Sequence, residues 1–413
     1  MEVKEKALKA KEAAHKMGLL GQNEKNEILH AIADALIHNS EKIISANKID
    51  LENAEKDGMK RSFIDRLTLN ESRINGIAEG VRDIAKLDDP IGKAEMFKRP
   101  NGLIIAKTVV PLGVIGIIFE SRPNVSIDAM ALCIKSGNSC VLRGGSAAIS
   151  SIKTLVDIAN EAATKKGLPQ GAVQVIEDTS RESAKDMMTM TGIIDVLIPR
   201  GGKGLIDTVV QNSKVPVIET GIGNCHTYVD ENYNEKMALD IIVNAKVSRP
   251  SVCNSLEKVL VHKNIAKDFV PKCVKALREN GVEVRGCEKV QEVVPDVIPA
   301  TEEDWYEEYS NYIAAIKVVD DIDHAINHIN KYGSSHSDAI VTEDYNNSQK
   351  FLAEVDSAAV YVNASTRFTD GFEFGFGGEI GISTQKLHAR GPMGVKELTT
   401  VKYIIYGNGQ IRV

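Results

Sequence analysis

The sequence predicts an α/β protein built from two doubly wound α/β domains and a small β extension. Strand-like and helix-like segments alternate from residue 113 to residue 221, which is the pattern of a parallel sheet with crossover helices. A second alternating series begins near residue 222. Two further strand-like stretches, RPNGLIIAKTVVP (99–111) and VKYIIYGNGQIRV at the C-terminus, belong to neither series. The expected division is therefore 1–98 with 112–221, then 222–395, then an extension from 99–111 and 396–413.

The elements follow in order. The first hundred residues read as helices, because apolar residues recur at helical spacing in NEILHAIADALI and SRINGIAEGVRDIAKL. Five strands follow: GVIGIIFE, SCVLRGG, VQVIED, IDVLIPRGG and VPVIETG. Helical segments such as SIDAMALCIKSG and SAAISSIKTLVDIANEAATKKG separate them. In the second series the strands are HTYVD, LEKVLVH, IAAIKVV, SDAIVTED and AAVYVNAS, and the helices include MALDIIVNAKV, AKDFVPKCVKALREN and DHAINHINKYG. The C-terminal stretch reads as two strand pieces around a GNG turn. Isolated strands need a partner, so the extension is expected to meet another subunit.

Composition excludes several classes. The chain has 413 residues with a net charge of −7, mildly acidic, which argues against nucleic acid or an anionic membrane as the main partner. The apolar run VVPLGVIGIIF is too short to span a bilayer and contains Pro and Gly. The N-terminus is a charged amphipathic stretch without the apolar core of a signal peptide. Six cysteines are scattered and none forms a CxxC pair, which removes the usual zinc spacings and fits a reducing compartment, expected to be the cytoplasm.

Neither GxGxxG nor a P-loop occurs. Two strand ends carry a cation and a Gly pair before a helix, Arg143-Gly144-Gly145 and Arg200-Gly201-Gly202, where phosphates bind in open sheets; ordinary βα turns also favour Gly. His324 and His328 share a helical face, but HAINH lacks the HExxH glutamate, so a solvated face is expected and no metal. Among the cysteines, Cys133, Cys140 and Cys273 lie in apolar runs. Cys253, in RPSVCNSLE, follows a Pro and sits with polar neighbours between a helix end and a strand. A nucleophile needs a local field to ionise it, and from the residues alone a catalytic and a structural thiol both stay open.

Several separated segments together resemble one family. IFESRPNVSIDAMALCIKSGNSCVLRGGSAA (118–148), PVIETGIGNCHTYVD (216–230), RPSVCNSLEKVLVH (249–262), GSSHSDAIVTED (333–344), VYVNASTRFTDG (360–371) and FGFGGEIGISTQKLHARGPMGVKELTT (374–400) are similar, in order and spacing, to the aldehyde dehydrogenase superfamily. Within it they resemble the branch of acyl phosphate reductases acting on L-glutamyl 5-phosphate. The resemblance covers nearly the whole chain. It implies an aldehyde dehydrogenase-like fold, with a cofactor-binding domain in 1–98 and 112–221, a catalytic domain in 222–395, and an oligomerisation extension.

The resemblance gives Cys253 the nucleophile's place, 34 residues after Glu219, and Asn124 the oxyanion asparagine's. It implies cofactor contacts from Glu120, Ser121, Arg143, Gly144, Gly145, Gly201 and Gly202. Arg143 stands where most relatives have a lysine near the adenosine ribose; a guanidinium suits a phosphorylated ribose, which points to NADPH. Arg122, His336, Arg367 and Arg390 are the expected substrate ligands. The superfamily's tryptophan before the asparagine is replaced by Arg122-Pro123, and its EExFGP segment appears only as EEYSNY (307–312), so no ribose contact is assigned to Glu308. The implied reaction is NADPH-dependent reduction of L-glutamyl 5-phosphate to L-glutamate 5-semialdehyde, a step of proline biosynthesis, through a Cys253 thioester. Such a reduction needs no base to activate water, so Glu219 takes a minor role. The implied partners are a small-molecule substrate, further copies of the chain, and a glutamate kinase on a separate chain, met transiently. The rivals are another superfamily oxidoreductase and a catalytically silent scaffold, the latter opposed by the intact Cys253 and Asn124.

Overall fold

A computed structural model describes residues 1–59, 61–120 and 122–412. It consists of two units, Met1–Thr220 with Gly375–Gly381 and Met393–Val413, and Gly221–Phe374 with Ile382–Pro392. The expected boundary at 221/222 thus falls at 220/221, and 375–381 and 393–395 group with the first unit. The reason is a pair of backbone bonds: Ile380 N–H donates to the Met393 carbonyl at 2.9 Å, and Met393 N–H to the Gly381 carbonyl at 2.8 Å.

The first unit begins with helices because its apolar residues fall on one face. In Glu71–Lys86 the buried set is Ile74, Ile77, Ala78, Val81, Ile84 and Ala85, a three-and-four spacing. Asn70 starts that helix by accepting the Arg73 N–H at 2.9 Å, a cap worth about 1 kcal/mol. The sheet behind has four parallel strands in the order Val173–Val175, Ser139–Arg143, Val114–Phe119, Val196–Arg200. Every residue of Val114–Phe119 is buried, as a central parallel strand requires. The fifth expected strand, VPVIETG, is not one. It meets the sheet through an isolated Leu197–Val217 bridge and a Thr220 hydroxyl bond to the Pro199 carbonyl at 2.7 Å, since Pro216 has no N–H to continue a ladder.

The extension is a three-stranded antiparallel sheet, Ala94–Lys98, Ile104–Pro111 and Thr399–Tyr406, with the second in the middle. Its first strand lies within the stretch expected to belong to the helical domain. RPNG makes the hairpin: Gly102 N–H donates to the Arg99 carbonyl at 2.9 Å with Gly102 at φ +91°, a backbone that favours glycine. The C-terminus supplies one strand rather than two. Beyond Gly407 the Gln410 side chain takes the Asn408 N–H and donates to the Asn101 carbonyl, so local bonds replace a second ladder.

The second unit holds a seven-stranded parallel sheet in the order Ile298–Pro299, Glu283–Gly286, Ile313–Val319, Leu256–His262, Cys225–Val229, Ser337–Val341, Ala359–Val362. All seven residues of Leu256–His262 are buried, including Glu257 and Lys258. Glu257 is paired with Lys246 at 3.0 Å with neither side chain exposed. Burial pushes the Glu257 carboxyl up to about 7 and pulls Lys258 down to about 8. Losing one member of such a pair costs about 3–5 kcal/mol, so this strand is a rigid base for the loop that precedes it. Among the described residues no helix is long and apolar enough to cross a membrane.

Candidate active site

In the first unit the carboxyl ends of three adjacent strands converge. Ile118 pairs with Arg143 and Phe119 with Arg200, which sets Glu120 between the two Gly pairs. Glu120 joins them: its carbonyl accepts the Gly145 N–H at 3.3 Å, its N–H donates to the Arg200 carbonyl at 3.2 Å, and its carboxylate accepts the Gly202 N–H at 3.0 Å. Gly202 caps the Lys203–Asn212 helix, so this helix N-terminus already holds an anion. Two of these glycines are closely packed. A Cβ on Gly201 would lie 2.6 Å from the Glu120 carboxyl carbon, and one on Gly144 would lie 2.2 Å from Ile152 Cδ1. The cradle lies where the strand order reverses, the place of ligands in open sheets. Ser121 falls outside the described residues.

Arg143 is held at one side of this cradle. Its Nη2 donates to the carbonyls of Thr179 and Ser180 at 2.6 and 2.8 Å, and its Nε to Ser183 Oγ at 3.3 Å. Burial lowers its pKa, with Asp178 opposing. Glu219 is half-buried, and burial with the charge of Asp207 raises its carboxyl.

Asn124 opens the Asn124–Lys135 helix, after Arg122 and Pro123. Its Nδ2 donates to Asp128 Oδ2 at 2.9 Å. Asp128 keeps some open surface, yet protein surrounds its carboxyl closely enough that burial pushes it up to about 6, against Asn124 and Arg200, which lower it. With the folded value above the ordinary 3.8, the folded state binds this proton more tightly. Its contribution to stability is therefore full below about pH 4 and is lost as pH rises through about 6.

In the second unit the convergence is at the amino ends of the strands. Cys253 precedes Leu256–His262, Cys225 opens the next strand, and His336 precedes the one beyond. Cys253 is half-buried, and its carbonyl accepts the Cys225 Sγ–H at 3.1 Å. Asn254 is clamped by the segment around Arg367. Its Nδ2 donates to the carbonyls of Arg367 and Thr369 at 3.2 and 2.8 Å, its carbonyl accepts Thr366 Oγ1–H at 2.8 Å, and its Oδ1 accepts from Arg367 Nη1. Gly223 packs flat on the Cys253 loop: a Cβ there would lie 1.5 Å from the Cys253 carbonyl oxygen.

The thiols separate by environment. Burial pushes Cys225 well above the ordinary range, with the charges of Asp338 and Cys253 adding. Cys273 is pushed up to about 12 by burial, and Cys133, a free thiol hydrogen-bonded to the Cys140 thiol and buried, is raised well above the ordinary range. Arg367 is the cation that the structure brings to Cys253. Burial lowers its pKa, Asp370 opposes, Arg249 adds, and the charges of Cys253 and Cys225 oppose.

Two expected substrate ligands are placed differently. His336 is fully buried, with its Nδ1 2.8 Å from Ser337 Oγ and 4.0 Å from Cys225 Sγ, so it supports Cys225 from within. Arg390 donates from Nη2 to the carbonyl and Oδ1 of Asp356 at 3.1 and 2.9 Å, an ion pair that takes up its charge. The His324–His328 face is not a solvated one throughout. His328 is buried against His226, Trp305 and Tyr332, because the helix meets the sheet on that side. Among the described residues no three His, Cys, Asp or Glu are grouped to hold a metal. Asn254 and Asp128 join the site only in the structure, through the Arg367 segment and through Asn124. Asp128, four residues from Asn124 in an otherwise apolar helix, carried a readable signal.

The sequence profile of the Aldehyde dehydrogenase family matches residues 1–295 and 288–404. A gamma-glutamyl phosphate reductase of Clostridium perfringens is 60% identical over 408 residues, 98% of each chain. One from Caldanaerobacter subterraneus is 59% identical over 413 residues, 100% of each. The crystal structure of the gamma-glutamyl phosphate reductase from Thermotoga maritima matches with a TM-score of 0.97 at 50% identity, covering 100% of both chains. An acetylating aldehyde dehydrogenase from Geobacillus thermoglucosidasius matches with a TM-score of 0.74 at 18% identity over 100% of this chain and 98% of its own, a likeness of fold alone.

Proposed function

Because this chain belongs to the aldehyde dehydrogenase family, and within it to the gamma-glutamyl phosphate reductases, we propose that it reduces L-glutamyl 5-phosphate to L-glutamate 5-semialdehyde and phosphate, a step of proline biosynthesis, through a thioester on Cys253. The observation that carries the site assignment is the Cys253 loop itself. It holds a half-buried thiol whose next residue, Asn254, is clamped by Thr366, Thr369 and the Arg367 guanidinium.

In this reading the Cys253 thiolate attacks the acyl phosphate carbon, a C–S bond forms, and the C–O bond to phosphate breaks. Asn124 Nδ2 and the Cys253 N–H donate to the oxyanion; one such donor is worth about 2.7–4 kcal/mol of barrier. When bound, the nicotinamide supplies the hydride that takes the thioester to the aldehyde level. The sulfur then leaves as the carbonyl re-forms, and Cys253 is restored as thiolate. Arg367 keeps the thiolate charged and, with Arg122, meets the substrate's anionic groups. Water is not a reactant, which leaves Glu219 outside the chemistry.

The family uses a nicotinamide cofactor, and the cradle of Glu120, Gly144, Gly145, Gly201 and Gly202 fits one: it lies at the carboxyl ends of the strands ahead of a helix N-terminus, with Gly144 and Gly201 leaving little room for a side chain. NADPH rather than NADH is favoured by Arg143, three of whose five donor positions are used by protein partners. The test is to supply NADP⁺ and glutamate 5-semialdehyde with and without inorganic phosphate and to follow NADPH absorbance. Phosphate-dependent formation is expected; turnover without phosphate would point instead to a hydrolytic aldehyde dehydrogenase.

The extension exposes Val401, Tyr403 and Ile405 at 43%, 55% and 56% on one side of an edge strand. An apolar edge of this kind calls for a covering chain, and we assign it to self-association. Sedimentation of the Tyr403→Glu, Ile405→Glu double variant should show a smaller species than the parent; an unchanged oligomer would place the interface elsewhere.

A further inference from the structure

We propose that Asp128 is the acidic ligand of the substrate's α-ammonium group, and so reads whether the acyl donor is an amino acid. The assignment rests on the reaction proposed above and deepens it.

Asn124 and Asp128 stand one turn apart on the same helix face, joined by the 2.9 Å bond from Asn124 Nδ2. The Asn amide has two N–H donors. One serves Asp128, and the other remains for the developing oxyanion. The substrate's reacting carbonyl is thereby tied to the neighbourhood of the Asp128 carboxyl. In glutamyl phosphate the amino group is borne by the third carbon from that carbonyl, roughly 5 Å away by standard bond lengths. A flexible chain of that length reaches from the Asn124 donor to an oxygen of Asp128.

The chemistry of Asp128 points the same way. Only its Oδ2 has a partner among the described residues, and that partner is neutral. No described cation lies within ion-pair distance, and Arg200 acts on it only through its longer-range charge. Crowding by the protein makes ionisation costly there, yet part of the residue stays open to an incoming group. A half-buried acid without a counter-ion is a poor structural element and a good receptor for a cation brought by the ligand. Asn124 alone would be served as well by a neutral acceptor.

The experiment compares two aldehydes with phosphate and NADP⁺: glutamate 5-semialdehyde, counted as its open-chain form, and 5-oxopentanoate, the same chain without the amino group. In Asp128→Asn, kcat/KM for the amino substrate should fall by roughly 10–100-fold, as expected for a lost charge-assisted hydrogen bond. Most of the loss should appear in KM. The loss on 5-oxopentanoate should be at least about tenfold smaller. Asp128→Glu should keep part of the preference for the amino substrate. Equal losses on both aldehydes would overturn the assignment and leave Asp128 as a positioning residue for Asn124. Unchanged selectivity in both variants would overturn it too. A parent enzyme idle on both substrates would instead overturn the proposed reaction, and this assignment with it.

Discussion

Cys253→Ala is expected to lose phosphate-dependent NADPH formation by on the order of 10⁵-fold or more, the scale on which removing a covalent nucleophile acts. Only a sulfur that can ionise to a thiolate can be the nucleophile. Cys225 is close, its Sγ 3.1 Å from the Cys253 carbonyl oxygen, but burial and the charges around it hold it protonated. Cys133, Cys140 and Cys273 are buried in the cores of their units, and Cys287, half-buried, accepts the Val318 N–H at 3.5 Å. Cys253 is half-buried and has Arg367 for a neighbour. The variant should fold normally, since the clamp on this loop runs through Asn254 and through the backbone of Cys253. Stopped-flow absorbance with parent and variant measures the loss, and mass spectrometry after reaction with acyl phosphate locates the acyl group. Retention of a tenth of the parent rate would move the nucleophile elsewhere.

The large elements were legible because they are apolar. GVIGIIF and LEKVLVH become central strands, and a run buried on both faces must be hydrophobic or internally paired. Short strands are harder to read. EVRG forms Glu283–Gly286, but a short charged stretch gives no period to read. VPVIETG misled because its composition is strand-like while Pro216 breaks the ladder. The site was legible only in part. The Gly pairs 144–145 and 201–202 follow from the rule that ligands sit at carboxyl ends of strands, whereas Glu120 follows only from the family resemblance. Cys253 sits at an amino end, where that rule does not look, and its supports lie far along the chain: Asn254 is bonded to Arg367 and Thr369, 113 and 115 residues away. Spacing cannot reveal such partners. His336 and Arg390 were singled out as polar residues in loops. The structure buries the first and pairs the second, outcomes decided by tertiary neighbours.

Gly223→Ala should damage catalysis without touching any reacting group. A Cβ at this position would stand 1.5 Å from the Cys253 carbonyl oxygen, 2.2 Å from its carbonyl carbon and 2.5 Å from its Cα. These are backbone atoms, so no rotamer change relieves the overlap, and the nucleophile loop must move. Moving it stretches the Cys225–Cys253 contact and pulls Asn254 against partners that hold it from three residues, Thr366, Arg367 and Thr369. Displacing a reacting atom by about 1 Å costs on the order of 100-fold in rate, and overpacking of this kind costs about 1–3 kcal/mol of stability. We therefore expect kcat to fall at least 100-fold, with a lower urea midpoint. Gly76→Ala is the control. It lies within the Glu71–Lys86 helix with nothing within 4 Å of the added Cβ, so it should leave kcat unchanged and stabilise by about 1 kcal/mol. If Gly223→Ala matched that control in rate and in urea midpoint, the close packing of Gly223 on the nucleophile loop would not be what holds Cys253 in place.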